Sequence, residues 1–176
     1  LMNEAREQGV SGFSYYVGVG NQIDVGLDEY LAFFADDVDT KAVVMYLEGF
    51  KDGRKFIQEA YKTTAKKPVI VLKGGRSDTG QKSAGSHTGA LAGQSEVNRS
   101  ACKSAGVTIL DNPDELFPVA ETLSNLPPIP NNKIAVLADG GGHATIASDL
   151  LTDYRMDLIE LSETTRAKLK NVLPYT

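Results

Sequence analysis

Residues 67–93 read KPVIVLKGGRSDTGQKSAGSHTGALAG. Pro68 breaks whatever helix precedes it. The apolar run Val69–Leu72 is too short for a helix and reads as a strand buried on both faces. After it the chain enters a glycine-rich loop that holds one imidazole, His87, among Gly, Ala, Ser and Thr. A histidine packed in a core has bulky apolar neighbours, and a metal site shows partners at ligand spacing. This stretch has neither.

Outward from that strand, helices and strands alternate. Upstream, residues 52–66 are helical, with Phe56, Ile57 and Ala60 inward, and Ala42–Leu47 is another short strand expected to be buried on both faces. Leu27, Tyr30, Leu31 and Phe34 recur at i, i+3, i+4 and i+7, the stripe of an amphipathic helix. Phe13–Val19 reads as a strand ended by Gly18, Gly20 and Asn21. Downstream come a helix over 94–105, a strand over 107–110, and a helix over 114–126 that follows Asn112-Pro113. Strands alternating with such helices imply parallel βαβ units with helices on both faces of the sheet.

LPPIPNN, residues 126–132, has three prolines and two asparagines. It stops any helix and reads as a stiff linker between domains. One domain is expected over 1–127, its first strand missing, and the N-terminal part of a second α/β domain over 133–176. In the latter, Lys133–Leu137 and Leu158–Leu161 read as strands and Gly140–Gly142 as a turn. Ala147, Leu150, Leu151 and Tyr154 give a helical stripe, and Ser162 caps a last helix. Two strands and two helices are too few to bury a sheet of their own.

The totals narrow the function classes. A net charge of −5 argues against nucleic acid as partner, and no apolar run reaches the ~20 residues of a membrane span. The opening LMNEAREQG lacks the basic and apolar regions of a secretory signal. It begins within helical pattern, as expected of a piece of a longer polypeptide. The single cysteine, Cys102, allows no internal disulfide, suits a reducing cytoplasm, and reads as a small hydrophobe on a helix. Half of the 18 Lys and Arg residues fall between Lys51 and Lys82, either a solvated face or a basic rim that attracts an anion.

In open parallel sheets ligands bind beyond the carboxyl ends of the strands. Glu48, His87 and Gly140–Gly142 all fall at such ends. A neutral imidazole can attack a phosphoryl group. Small flanking residues leave room for phosphate oxygens, the backbone N–H groups around Gly89 can donate to them, and Ser86 and Thr88 add hydroxyls. An acceptor must hold the other ring N–H, and Glu48 is the candidate if the strands ending at Glu48 and Lys73 are neighbours. The plainer alternatives are a surface-loop histidine bonded to its own backbone and a solvated carboxylate. ADGGGHATIASD, residues 138–149, is strand, glycine turn and helix start, which receives an anion or is simply a tight connection. His143 contributes there through its backbone N–H or as a local cap. A zinc site from His87, Cys102 and His143 lacks ligand-pair spacing.

Taken together, VGNQIDV, DDVDTKAVVMYLEG and KPVIVLKGGRSDTGQKSAGSHTGALAG resemble the NDP-forming acyl-CoA synthetases, relatives of succinyl-CoA synthetase, with the nearest likeness to the ADP-forming acetyl-CoA synthetases. The resemblance spans nearly all of residues 5–173, and KGGR with SHTG is its most specific part. It implies a flavodoxin-like, succinyl-CoA-ligase-type α/β fold for the first domain and the start of a second α/β ligase domain after it. It implies that His87 is phosphorylated, that Glu48 bonds its ring, and that Gly140–Gly142 offer a helix N-terminus to the phosphohistidine. The implied reaction converts acyl-CoA, ADP and phosphate into carboxylic acid, CoA and ATP. The implied partners are a CoA-binding domain and an ATP-grasp nucleotide-binding domain carrying Mg2+, in cis or as another subunit of an oligomer. This piece by itself is then expected to be inactive. A non-catalytic regulatory module of the same fold, binding CoA or nucleotide beside an acetyltransferase, is the alternative. Retention of both His87 and Glu48 argues against it. A flavodoxin-like cofactor binder fits less well, for lack of a Ser/Thr-rich phosphate loop after the first visible strand.

Overall fold

The computed structural model describes residues 2–7, 9–10, 12–74, 95–127 and 129–173, and the chain divides into two compact units, Leu1–Pro127 and Pro128–Thr176. In chain order the first unit holds α1 (Met2–Glu7), α2 (Leu27–Asp36), β1 (Val43–Leu47), α3 (Gly53–Thr64), β2 (Val69–Lys73), α4 (Ser95–Ser104), β3 (Thr108–Leu110), a 3-10 turn (Pro113–Glu115) and α5 (Leu116–Asn125). Its strands form a parallel sheet in the order β1-β2-β3, with Leu47 opposite Lys73 and Leu72 opposite Leu110.

The sheet's parity divides the core. Val43, Met45, Leu47, Val69 and Val71 face one side and pack with Leu27 and Leu31 of α2, Phe56 and Ala60 of α3, and Cys102 of α4. Ile70 faces the other side and packs with Leu110 and with Leu116 of α5. β2, paired on both edges, buries Val69, Ile70 and Val71 in succession. β1 does not share that environment. Val44 is 36% and Tyr46 62% exposed, so β1 is buried on one face rather than the expected two. The reason is coverage: the second cluster is built on β2, β3 and α5 and reaches only Ala42 just before β1.

Local chemistry sets the helix ends. Asp52 caps α3, its carboxylate accepting from the Arg54 and Lys55 N–H groups at 3.1 and 3.0 Å. Lys67 closes the C-terminus of α2 by donating to the carbonyls of Phe34 and Asp37. Lys66 pairs with Asp36, Lys62 with Glu59, and Lys51 donates to the carbonyls of Gln22 and Ile23. Several cations of the basic stretch are thus engaged locally. Gly106, at φ +77°, ends α4 in a backbone conformation that favours glycine, and a Cβ there would crowd the Thr64 side chain at 3.1 Å.

Phe13–Val19, expected as a strand, forms no ladder. Side chains anchor it instead: Phe13 meets the Phe117 ring, Ser14 meets Thr40, and Tyr15 packs on Phe33 and Phe34. Strand propensity reports packing against a paired neighbour, and here that packing exists without backbone pairing.

In the second unit β4 (Lys133–Ile134) pairs in parallel with β5 (Asp157–Leu158), joined by α6 (Gly141–Asp153) and followed by α7 (Glu163–Lys170). Both strands are shorter than their apolar runs predict. Gly141 and Gly142 lie in the first helical turn rather than in a separate turn, and Ser162 caps α7 through the Thr165 N–H. No described residue of this unit is buried, and Leu150 and Tyr154 of its helical stripe are exposed, as is Ile146 beside it. Among the described residues, no helix is long and apolar enough to cross a membrane.

Candidate functional site

The parallel pairing of β1 and β2 brings two chain exits together. Leu47 is opposite Lys73, and the Gly74 N–H donates to the Leu47 carbonyl at 2.8 Å. Glu48 and Gly74 therefore leave the sheet side by side at its carboxyl edge. The Lys73 ammonium folds over both exits, donating to the Glu48 carbonyl at 2.8 Å and to the Gly74 carbonyl at 2.7 Å. On the open face of β1 the Tyr46 hydroxyl donates to Glu48 Oε1 at 3.3 Å. Gly74 makes this possible, since a Cβ there would stand 2.6 Å from the Tyr46 oxygen.

Electrostatics follow from that packing. Burial lowers the Lys73 pKa from the ordinary lysine value, and the Glu48 charge works against the shift. Burial raises the Tyr46 pKa, with the Glu48 charge and hydrogen bond adding to it. Cys102, buried on α4, is pushed up by burial while the charge on Lys73 pulls it back. That thiol is a protonated core group rather than a nucleophile.

Of the residues singled out from the sequence, Glu48 stands at this rim, half-buried. His87, Ser86, Thr88 and Gly89 lie outside the described residues. In the second unit Gly140 is the N-cap of α6 and supplies no side-chain cap. His143 Nδ1 lies 2.9 Å from Asp139 Oδ1, a local and exposed pair one turn apart. Among the described residues no cluster of three His, Cys, Asp or Glu could hold a metal ion.

Tyr46 was not singled out from the sequence, and Lys73 was noted only as a strand end and the first residue of KGGR, with no role of its own. A signal for Tyr46 exists: it precedes Glu48 by two residues, the strand period that places both on one face. Lys73 carries no such signal, because its partners are backbone carbonyls. A further pair at the carboxyl edge, Arg99 of α4 with Asp111 just after β3, is bidentate at 2.8 and 2.9 Å.

A family model described as "Succinyl-CoA ligase like flavodoxin domain" matches residues 1–123. The acetate–CoA ligase (ADP-forming) of Methanocaldococcus jannaschii is 42% identical over 94% of this chain and 23% of its own length. The alpha subunit of acetate–CoA ligase (ADP-forming) II from Pyrococcus furiosus is 38% identical over 93% of this chain and 35% of its own. The dinucleotide-forming acetyl-coenzyme A synthetase 1 of Ca. Korarchaeum cryptofilum, solved with phosphate and ADP, superposes with a TM-score of 0.82. It is 33% identical and covers 90% of this chain and 34% of that one. Its apo form superposes at 0.88, with 31% identity and 98% of this chain covered. The chain thus spans about a quarter to a third of the length of these relatives. Parallel sheet and sequence likeness agree, and the chain belongs to the family of succinyl-CoA ligase-like flavodoxin domains.

Proposed function

We propose that this chain is the phosphohistidine-bearing part of an ADP-forming acid–CoA ligase, with His87 as phosphoryl carrier and Glu48 as its ring partner. The observation that carries the reading is the β1–β2 register. Glu48 exits beside the strand whose continuation runs to His87, whereas Asp111, the acid just after β3, is engaged by Arg99.

The chemistry runs in three balanced steps. A phosphate oxygen attacks the thioester carbonyl, the C–S bond breaks, and CoA leaves as the thiol with acyl phosphate formed. The unprotonated ring nitrogen of His87 attacks phosphorus, the bond to the acyl oxygen breaks, and the carboxylate leaves. The other ring N–H donates to the Glu48 carboxylate, which steadies the charge gained by the ring. An ADP oxygen then attacks phosphorus, the N–P bond breaks, and ATP forms. Ser86, Thr88 and Gly89 support the phosphoryl group. Gly140–Gly142 and the His143 N–H, at the uncapped start of α6, are a second phosphate-binding element.

The full ligase combines this chain with CoA-binding and ATP-grasp domains, in one polypeptide or as another subunit, in an oligomer of the cytoplasm. Residues 133–176 are the opening of its next α/β domain. Mg2+ belongs with the nucleotide in the ATP-grasp domain, and no step passes through a metal held by the residues described here. The test is incubation of that ligase with γ-labelled ATP. Label stable to base and labile to acid is expected, and its loss in His87→Ala. Base-stable label persisting in that variant removes the assignment.

A further inference from the structure

We propose that Lys73 and Tyr46 are positioning residues that fix Glu48 from two sides, Lys73 through its main-chain carbonyl and Tyr46 through its carboxylate. The inference rests on the phosphohistidine reading and adds the groups that orient the acid.

A lysine that serves solubility extends its ammonium into water, where hydration is complete. Lys73 turns back over the sheet edge and accepts partial burial. The two contacts described for it are carbonyls from two different strand exits, Glu48 and Gly74. One ammonium carries three donors, so it can satisfy both at once. The result ties the residue after β1 to the residue after β2, in addition to the Gly74 N–H bond to Leu47.

Tyr46 acts on the same acid at its other end. The strand period brings its side chain to the face that α5 leaves open, and its hydroxyl reaches Oε1 of Glu48 at 3.3 Å. Such a bond is long, and its value lies in direction. Its ring occupies the space over Gly74 that a side chain would need. A glutamate held at its main-chain carbonyl and at Oε1 presents its second carboxylate oxygen, Oε2, in a restricted set of orientations. That is what a ring partner requires, since small misplacement of a catalytic group costs up to about 100-fold in rate.

The experiment uses the complete ligase and the rate at which γ-labelled ATP deposits base-stable label. Lys73→Met is expected to slow labelling and kcat by roughly ten- to a hundredfold with KM for acid, CoA and nucleotide nearly unchanged. Lys73→Arg, which keeps donors, recovers part of the loss. Tyr46→Phe is expected to slow labelling by about 3- to 10-fold at unchanged melting temperature. Slowing matched by a rise in KM or a fall in melting temperature overturns the positioning role. So does labelling at the unsubstituted rate, for whichever residue shows it. Should Lys73→Met not fold, Tyr46→Phe decides alone. A ligase that takes up no base-stable label before any substitution overturns the phosphohistidine reading, and this one with it.

Discussion

Cys102 lies against the sheet on α4, 2% exposed, and its thiol is held in the protonated form by burial. The sign of the resulting pH dependence follows from linkage. The folded pKa stands above the ordinary 9.0, so between those values the folded chain keeps a proton that the unfolded chain has lost. The contribution is fully present below 9.0 and is lost as pH rises through the raised value. Urea unfolding at about pH 7.5 and about pH 10 should therefore show a larger loss for the unsubstituted protein than for Cys102→Ala. Equal losses would mean that the thiol ionises as readily in the folded state. The same residue illustrates how context sorts chemistry. One cysteine in the sequence could be nucleophile, ligand or filler, and its place under the sheet makes it filler.

At the scale of elements, α2 and α3 hold one face of the sheet by two different means. Phe56 of α3 is 1% exposed in the main cluster and contacts the Phe50 ring at 4.7 Å between centroids. Phe56→Ala should cost about 3–5 kcal/mol, since transfer and cavity terms add. Thr63, on the same helix and fully buried, brings its hydroxyl within 3.2 Å of the Leu31 carbonyl of α2 and 2.8 Å of the Glu59 carbonyl. Thr63→Val keeps shape and loses the hydroxyl's hydrogen bonding, which should cost about 1 kcal/mol. Denaturant midpoints should fall further for Phe56→Ala than for Thr63→Val. The reverse order would place the helix contact in polar bonding rather than in packed surface.

The two units of the molecule differ in what they bury. The first has a core on both faces of its sheet. The second pairs two residues per strand and buries none of its described side chains. Hydrophobic stabilisation scales with area removed from water, and a unit that removes little lacks the means to offset chain entropy. Residues 1–127 expressed alone should therefore melt in one cooperative transition, while residues 128–176 alone should show none by circular dichroism. A sigmoidal transition in the shorter piece would refute the reading of it as part of a larger domain.

The sequence by itself determined the alternation of helices and strands. Short apolar runs between amphipathic stripes, with Pro68, Asn112-Pro113 and Ser162 as punctuation, are local signals, and local signals survive without neighbours. The place of Glu48 at the end of its strand is a local signal of the same kind, while the roles given to it and to His87 are a proposal built on residue type. What the tertiary structure decided was environment. It left Val44 and Tyr46 open because α5 covers other strands, and it denied Phe13–Val19 a ladder although the residues favour one. It also turned Lys73 onto two carbonyls that every residue possesses, a contact invisible to any pattern of side chains. Periodicity is written along the chain; coverage and backbone partners depend on which segments the fold brings side by side.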